Sequence, residues 1–286
     1  MADIGGSSRV NTSKADEEIV VGFDNEIMMI KEQLTGGKKQ QEVVSIIGMA
    51  GLGKTTLPRK VYDDPFIEYH FYIRAWSYVS QDYRKRDLLL GILSYVIELT
   101  DEMHEMSDEE LSLKLKKGLM GRRYLIVMDD IWSVDASDCL KRSFPDDNNG
   151  SRIMFTSQLK DVALHAKPDS HLHCLRFLTE DESWFLFQQK AFGKETCPLW
   201  LMGIGMEITK KCLGLPLAIV VTARSSCQNR KEFSIVGESC KKWINVIEYP
   251  CFGDPAISDD SPSLMADLQT ISQVVMVKHI GRATMS

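Results

Sequence analysis

Short apolar runs alternate with segments of helical spacing along the first 178 residues. The runs are rich in β-branched and aromatic side chains, as in strands buried on both faces, and lie at residues 43–47, 70–79, 124–128, 152–156 and 171–175. Segments whose apolar residues share one helical face lie at residues 24–34, 84–99 and 107–119. Because parallel strands need a crossover connection, this alternation predicts an α/β fold in which helices cover both faces of a parallel sheet.

The pattern changes near residue 178. Thr179 and Glu182 form a capping box, and the spacing from there to about residue 242 favours helices. Residues 1–18 are rich in Gly, Ser and charged side chains, whereas the chain from Cys251 onwards matches no pattern. We therefore predict four parts, namely a flexible N-terminal segment at 1–18, an α/β domain at 19–178, a helical subdomain at 179–250 and an unassigned tail, for which disorder is one interpretation, at 251–286.

Composition narrows the class of protein. Of the 286 residues, 44% are hydrophobic and 26% are charged, which is typical of a soluble globular protein. The formal net charge of −6 argues against general binding of nucleic acid or of an anionic membrane. The longest apolar stretch, at 215–221, is too short to span a bilayer, and the polar N-terminus does not resemble a secretory signal. Seven cysteines without a C-x-x-C pair favour reduced thiols, so we expect a cytoplasmic protein.

A glycine-rich segment, GMAGLGKT, follows the first apolar run and matches the P-loop pattern G-x-x-x-x-G-K-[ST] in full. Glycines let successive backbone N–H groups turn towards phosphate oxygens, and a helix that begins after the loop adds its free N–H groups. Lys54 supplies a charge for the β- and γ-phosphates, and the Thr55 hydroxyl is a ligand for Mg²⁺. The predicted nucleotide-binding residues of this segment are Gly48, Ala50, Gly51, Leu52, Gly53, Lys54, Thr55 and Thr56. The expected fold is thus a three-layer P-loop NTPase sheet followed by a smaller all-helical subdomain.

Two acids end the apolar run at 124–128. Asp129 and Asp130 fall at the carboxyl edge of the predicted sheet, where open α/β sheets bind their ligands. Asp129 is predicted to hold Mg²⁺ through water, as Walker-B acids do. Two interpretations stay open for Asp130, a catalytic carboxylate that polarises an attacking water and an ordinary solvated strand end.

These motifs, together with others in the same order, resemble the NB-ARC module of plant nucleotide-binding leucine-rich-repeat disease-resistance proteins. Trp132, after the second acid, is characteristic of the coiled-coil, non-TIR subclass of that family. The resemblance covers about residues 18–224, and its further motifs lie at 18–23, 71–81, 150–163, 178–187 and 212–219. The chain resembles a truncated core, since neither a coiled coil before residue 18 nor the family's later domains can be matched.

The resemblance implies an adenine-nucleotide switch. ADP would hold the module closed, ATP would favour an open form that associates with itself or with other resistance proteins, and slow hydrolysis would reset it. Val20 and Val21 would close over the adenine, and Pro216 would lie against the base. Gln158 stands where the family usually has an Arg that senses the γ-phosphate, so we expect weaker discrimination between ATP and ADP.

Two other functions remain as alternatives at this stage. One is a slow P-loop ATPase that turns over repeatedly, although no acceptor-substrate site is recognisable. The other is a truncated, non-switching remnant or decoy that acts by contact with relatives. Gln158 keeps this alternative open, as does Pro58, which removes a backbone donor near Lys54 where the family usually has Ala.

Overall fold

The computed structural model describes residues 20–79, 81–135, 143–166, 172–193 and 195–228, with side chains up to Arg224. The segment predicted at 1–18 and the tail predicted at 251–286 lie outside these ranges. So do residues 229–250 of the predicted helical subdomain.

The described residues form a sheet of five parallel strands in the order β2–β3–β4–β1–β5. Their bounds are β1 Glu42–Ile47, β2 Ile73–Tyr78, β3 Tyr124–Ile131, β4 Arg152–Ser157 and β5 Leu172–Cys174. The predicted α/β class with a parallel sheet is confirmed. Because all five strands are parallel, their carboxyl ends meet at one edge, and the loops that follow β1, β3 and β4 lie side by side there.

Helices cover both faces of the sheet in the described part of the chain. Their bounds are α1 Asp24–Thr35, α2 Thr56–Tyr62, α3 Pro65–His70, α4 Lys85–Leu93, α5 Asp101–Glu105, α6 Asp108–Leu119 and α7 Lys160–Ala166. Successive side chains of a strand point to opposite faces, so β3 divides between two cores. Ile126 and Met128 pack with α4 and α6, whereas Leu125 and Val127 pack with α1, α2 and α3.

Two predicted elements differ in length from the structure. The run at 70–79 begins as a strand only at Ile73, because Asp64 accepts the Phe66 N–H and caps helix α3, which takes in His70. The helix predicted at 84–99 ends at Leu93. There the bonding changes, since Tyr95 N–H and Val96 N–H donate to carbonyls three residues back rather than four.

In the described part of the chain three helices follow the sheet, namely α8 Glu180–Phe192, α9 Leu199–Lys211 and α10 Pro216–Gln228. The capping box of Thr179 and Glu182 at the start of α8 is confirmed. The buried residues of this part form a core of their own, made of Leu178, Leu186, Phe187, Ala191, Cys212, Ile219 and Ala223. Leu178 N–H donates to Gly214 O at 2.9 Å, which ties the segment before α8 to the turn before α10. Within the described ranges, every helix is too short or too polar to cross a bilayer.

Candidate nucleotide-binding site

The glycine-rich loop joins β1 to α2 at the carboxyl edge of the sheet. Gly51 and Gly53 adopt φ values of +82° and +101°, which residues with a Cβ rarely adopt. A Cβ on Gly53 would also lie 2.9 Å from the ring of Phe23. The loop therefore requires glycine at Gly53 for both its backbone conformation and its contact with the segment before α1. The sequence predicted this loop and its place between a strand and a helix.

Lys54 is the cation of this loop. Its side chain is buried, with 8% of the residue exposed, and its Nζ donates to the carbonyl of Met49 at 2.9 Å. Burial lowers the pKa of Lys54, while the negative charges of Asp130 and Asp129 act in the opposite direction. The ammonium group is thus held inside the curve of the loop and faces the two acids of β3. Such an arrangement favours a phosphate group beside it, because an anion there would offset the cost of burying the charge.

The two acids lie in a β-bulge between β3 and β4. Met128 pairs with Phe155 and Ile131 pairs with Ser157, so β3 has one more residue than β4 in this interval. Asp130 absorbs the extra residue by adopting a φ of +63°, which is uncommon outside glycine. The bulge sends Asp129 into the protein, where 1% of the residue is exposed, whereas Asp130 is half-buried.

Neighbouring side chains fix both acids. Thr156 Oγ1 donates to Asp129 Oδ1 at 2.6 Å and accepts the backbone N–H of Asp130 at 2.8 Å. The indole Nε1 of Trp132 donates to Asp130 Oδ2 at 3.0 Å. Ser157 Oγ donates to the carbonyl of Ile131 at 2.7 Å and so closes the bulge. The carboxylates therefore have defined directions.

The donors around Asp129 suit a hard divalent cation. Burial raises the pKa of Asp129, and hydrogen bonds from Thr156 and Thr55 act to lower it. The Thr55 side chain lies close enough to Asp129 to lower the pKa of this carboxylate, so the two predicted Mg²⁺ ligands are neighbours. Carboxylate and hydroxyl oxygens are ligands that Mg²⁺ prefers, and Mg²⁺ completes its coordination with water and substrate phosphates. The residues present thus fit the metal.

Helix α2 continues through Pro58. Leu57 N–H donates to Gly53 O at 3.0 Å and Arg59 N–H donates to Thr55 O at 3.2 Å, so the helical bonds on either side are made. Pro58 is the third residue of α2, and its missing N–H is the one that would bond the carbonyl of Lys54. Because this is the first turn, the loss of a donor is tolerated there far better than deeper in a helix.

The segment before α1 connects the loop with the helical subdomain. Val20 packs against the core that contains Leu52 and Phe23, whereas Val21 packs against the core of α8 and α10. Gly22 has a φ of +79°, and a Cβ there would lie 2.7 Å from Leu178. The two predicted adenine contacts therefore lie at the junction of the two cores.

Helix α10 begins directly over the glycine loop. Pro216 is its first residue, and the N–H of the next residue, Leu217, donates to the carbonyl of Gly51 at 3.2 Å. Leu215 is buried in the same core as Leu52. The structure thus brings Pro216 to the glycine loop, although 162 sequence positions separate it from Lys54.

Gln158 follows the last residue of β4 and is half-buried. The carbonyl of its neighbour Ser157 accepts the N–H of Gly48 at 3.4 Å, so Gln158 lies beside the start of the glycine loop. Of the predicted site residues, the loop residues, the two acids and Gln158 thus meet at one edge of the sheet. Thr156 and Trp132 were not among the predicted site residues. The sequence feature that indicates Thr156 is a hydroxyl near the carboxyl end of β4, the strand beside β3. The feature that indicates Trp132 is an indole two residues after Asp130.

Comparison with protein families gives one matching model, described as the NB-ARC domain, which covers residues 23–197. The RPP13-like disease resistance protein 3 of Arabidopsis thaliana is 41% identical in an alignment of 232 residues that covers 78% of this chain and 27% of that protein. A late blight resistance protein homologue of Solanum demissum is 42% identical over 226 residues, 79% of this chain and 18% of that protein. The chain thus spans about a quarter of the length of the first relative and less than a fifth of the second.

Solved structures share the fold at low sequence identity. The ADP form of the Aeropyrum pernix ORC2 protein superimposes with a TM-score of 0.61 at 13% identity, over 82% of this chain and 71% of that one. Cdc6p from Pyrobaculum aerophilum gives a TM-score of 0.58 at 13% identity, over 77% of this chain and 65% of that one. At such identities the likeness establishes the P-loop α/β fold alone.

Proposed function

Because the chain belongs to the NB-ARC family, we propose that it is the adenine-nucleotide-binding switch module of a plant innate-immune receptor. ADP or ATP binds at the carboxyl edge of the sheet with Mg²⁺, and the bound state determines defence signalling in the cytoplasm. Family membership and the resistance proteins among the relatives support this proposal.

One observation carries the nucleotide site, namely the buried ammonium group of Lys54 inside a glycine loop that faces Asp129 and Asp130. In the proposed complex the loop N–H groups and Lys54 hold the β- and γ-phosphates. Thr55 and Asp129 hold Mg²⁺, which neutralises charge on the phosphate oxygens when it is bound. Val20, Val21 and Pro216 enclose the base, since they lie at the junction over the loop.

The contact between α10 and the loop explains how a bound nucleotide acts on the helical subdomain. Leu217 N–H bonds Gly51 O, and Leu178 bonds Gly214, so the turn before α10 contacts both the loop and the segment before α8. A phosphate bound in the loop would therefore act on the Gly51–Leu217 contact. The γ-phosphate thus biases a two-state arrangement of the subdomain, and opening exposes surfaces for self-association or for other receptors.

Nucleotide content tests this proposal. The purified protein is denatured, and the released nucleotide is identified by chromatography, beside Lys54→Ala and Lys60→Ala. Lys60 is an exposed lysine of α2 and serves as the matched control. We expect ADP in near-equal molar amount from the wild type and from Lys60→Ala, and little from Lys54→Ala. A wild-type protein that is empty and indifferent to added ADP or ATP with Mg²⁺ would contradict the switch and favour the non-switching decoy.

Hydrolysis is a second candidate activity, which the bond between Trp132 and Asp130 favours because it orients a carboxylate beside the metal ligands. The carboxylate would accept a proton from a water that attacks the γ-phosphorus, the bond from that phosphorus to the β–γ bridging oxygen would break, and ADP would leave; Mg²⁺, when bound, would neutralise charge on the phosphates. Steady-state phosphate release separates the functions. Turnover above roughly 1 s⁻¹ would support an enzyme, whereas much slower release is expected of a switch that resets.

A further inference from the structure

The Thr156 hydroxyl bonds both the side chain of Asp129 and the backbone N–H of Asp130 in the bulge of β3. Because β3 has an extra residue between Met128 and Ile131, both Asp129 and Asp130 lie opposite Thr156. A hydroxyl has one proton, and that of Thr156 is donated to Asp129 Oδ1. The oxygen is then available as the acceptor of the Asp130 N–H. The two bonds therefore fix each other's direction.

Burial makes this pair of bonds hard to replace. Thr156 is fully buried and 1% of Asp129 is exposed, so water does not readily replace a partner that is lost at the Thr156 hydroxyl. Without the hydroxyl, Asp129 Oδ1 loses a donor and the Asp130 N–H loses its acceptor. The second loss acts on the backbone at the residue with a φ of +63°, where the chain is already in an uncommon conformation.

Thr156 also differs from the other hydroxyl partner of Asp129. Thr55 belongs to the glycine loop and is exposed, whereas Thr156 belongs to a central strand with neighbours on both sides. A carboxylate is oriented more precisely by a partner on a rigid element than by one on a loop. The direction of Asp129 is thus set by the sheet.

We propose that Thr156 is a positioning residue for Mg²⁺, whose hydroxyl holds Asp129 in the direction that receives the metal and holds the backbone turn that directs Asp130. This inference rests on the proposed function. Residues that hydrogen-bond a metal ligand commonly change metal affinity about 10- to 100-fold when they are removed. Loss of the Thr156 hydroxyl therefore lowers the affinity for Mg²⁺ and leaves the phosphate contacts of the glycine loop in place.

The test compares Thr156→Val, which keeps the shape but lacks the hydroxyl, with Thr156→Ser, which keeps the hydroxyl. The affinity of a fluorescent, non-hydrolysable ATP analogue is measured over a titration of MgCl₂ and in EDTA. We expect Thr156→Val to raise the half-saturating Mg²⁺ concentration about tenfold and Thr156→Ser to restore it. Affinity in EDTA should stay within about twofold of wild type for both variants, since Lys54 and the loop are unchanged.

Thr209→Val is the matched control, because it removes a buried hydroxyl of helix α9 that donates to the carbonyls of Gly205 and Met206 and leaves the Thr156 bonds intact. It should not change the dependence on Mg²⁺. Thr156→Ala serves as a second hydroxyl-free variant if the valine protein does not fold, as judged by its thermal unfolding in EDTA.

Three results with the Thr156 variants would overturn the inference. The first is an unchanged half-saturating Mg²⁺ concentration in the hydroxyl-free variant, and the second is a serine variant that behaves like the valine variant. The third is a loss of analogue affinity in EDTA as large as the loss with Mg²⁺, which would indicate a general structural role. A wild-type protein that binds the analogue equally well with and without Mg²⁺ would overturn the inference alone. One that does not bind nucleotide at all would overturn the proposed function as well.

Discussion

Replacing Arg152 with methionine tests how much the fold depends on one buried charge at the sheet edge opposite the nucleotide site. Arg152 begins β4, and 1% of the residue is exposed. Its guanidinium group donates to five carbonyl oxygens at 2.9 to 3.2 Å, those of Gln33, Gly36, Lys38, Gln40 and Ser151. Glu42 lies 3.7 Å away. All five N–H groups of the side chain are therefore used.

The expected loss in the free energy of unfolding depends on which of the five carbonyls water can reach after the substitution. Gly36, Lys38 and Gln40 belong to exposed residues and regain hydration, so their bonds are largely replaced. The carbonyls of Gln33 and Ser151 belong to less exposed residues, and each bond to a charged donor is worth about 1.5–3 kcal/mol. The loss of about two such bonds, partly offset by the packing of the methionine side chain, predicts a loss of about 3–4 kcal/mol in the free energy of unfolding.

Urea denaturation of Arg152→Met and Arg123→Met provides the assay. Arg123 is an exposed arginine just before β3, and its Nη1 lies 3.3 Å from His70 Nε2, so its replacement should cost about 0.5 kcal/mol or less. ATP-analogue affinity should be unchanged in both variants under conditions in which they are folded. A cost below about 1 kcal/mol for Arg152→Met, or one equal to that of Arg123→Met, would refute the reasoning.

Three further predictions concern the site and its supports. Gln158→Arg should raise the preference for ATP over ADP about tenfold, measured as the ratio of the two dissociation constants, because it places a positive charge beside the loop. An unchanged ratio would show that position 158 does not sense the γ-phosphate. Hydrogen bonds from Arg176 and from the N–H and hydroxyl of Thr179 lower the pKa of Glu182 from its ordinary value of 4.5 to about 2. The ionised carboxylate therefore stabilises the fold fully above about pH 4.5, and this stabilisation decreases as the pH falls towards 2. Glu182→Gln should therefore cost about 1 kcal/mol near pH 6 in denaturation experiments, and a cost that does not shrink towards pH 3 would contradict this. Trp76→Phe should cost less than about 1.5 kcal/mol by the same method. The buried Nε1 has no hydrogen-bond partner among the described residues, and the contact of Arg59 Cζ with the indole ring, 4.1 Å from its centroid, is lost only in part. A larger cost would indicate that the indole N–H is bonded.

The local parts of this protein could be predicted from its sequence. The glycine loop is a contiguous segment in which glycine is required for conformation, so its pattern alone indicates a phosphate site. The capping box at Thr179 is equally local, and the structure contains it together with a second one at Ser107. Apolar runs predicted the five strands, since a strand buried on both faces has to be apolar throughout.

Contacts between distant segments depended on the tertiary structure. The sequence placed Asp129 and Asp130 at the end of a strand, but the bulge that separates their environments arises from the register between β3 and β4, which no local pattern specifies. Thr156 became part of the site only through that register. The five carbonyls that surround Arg152 come largely from the turn between α1 and β1, more than 110 positions away in the chain. A local pattern reports the conformation of its own residues, whereas a side chain on a neighbouring strand is brought to the site only when the sheet assembles.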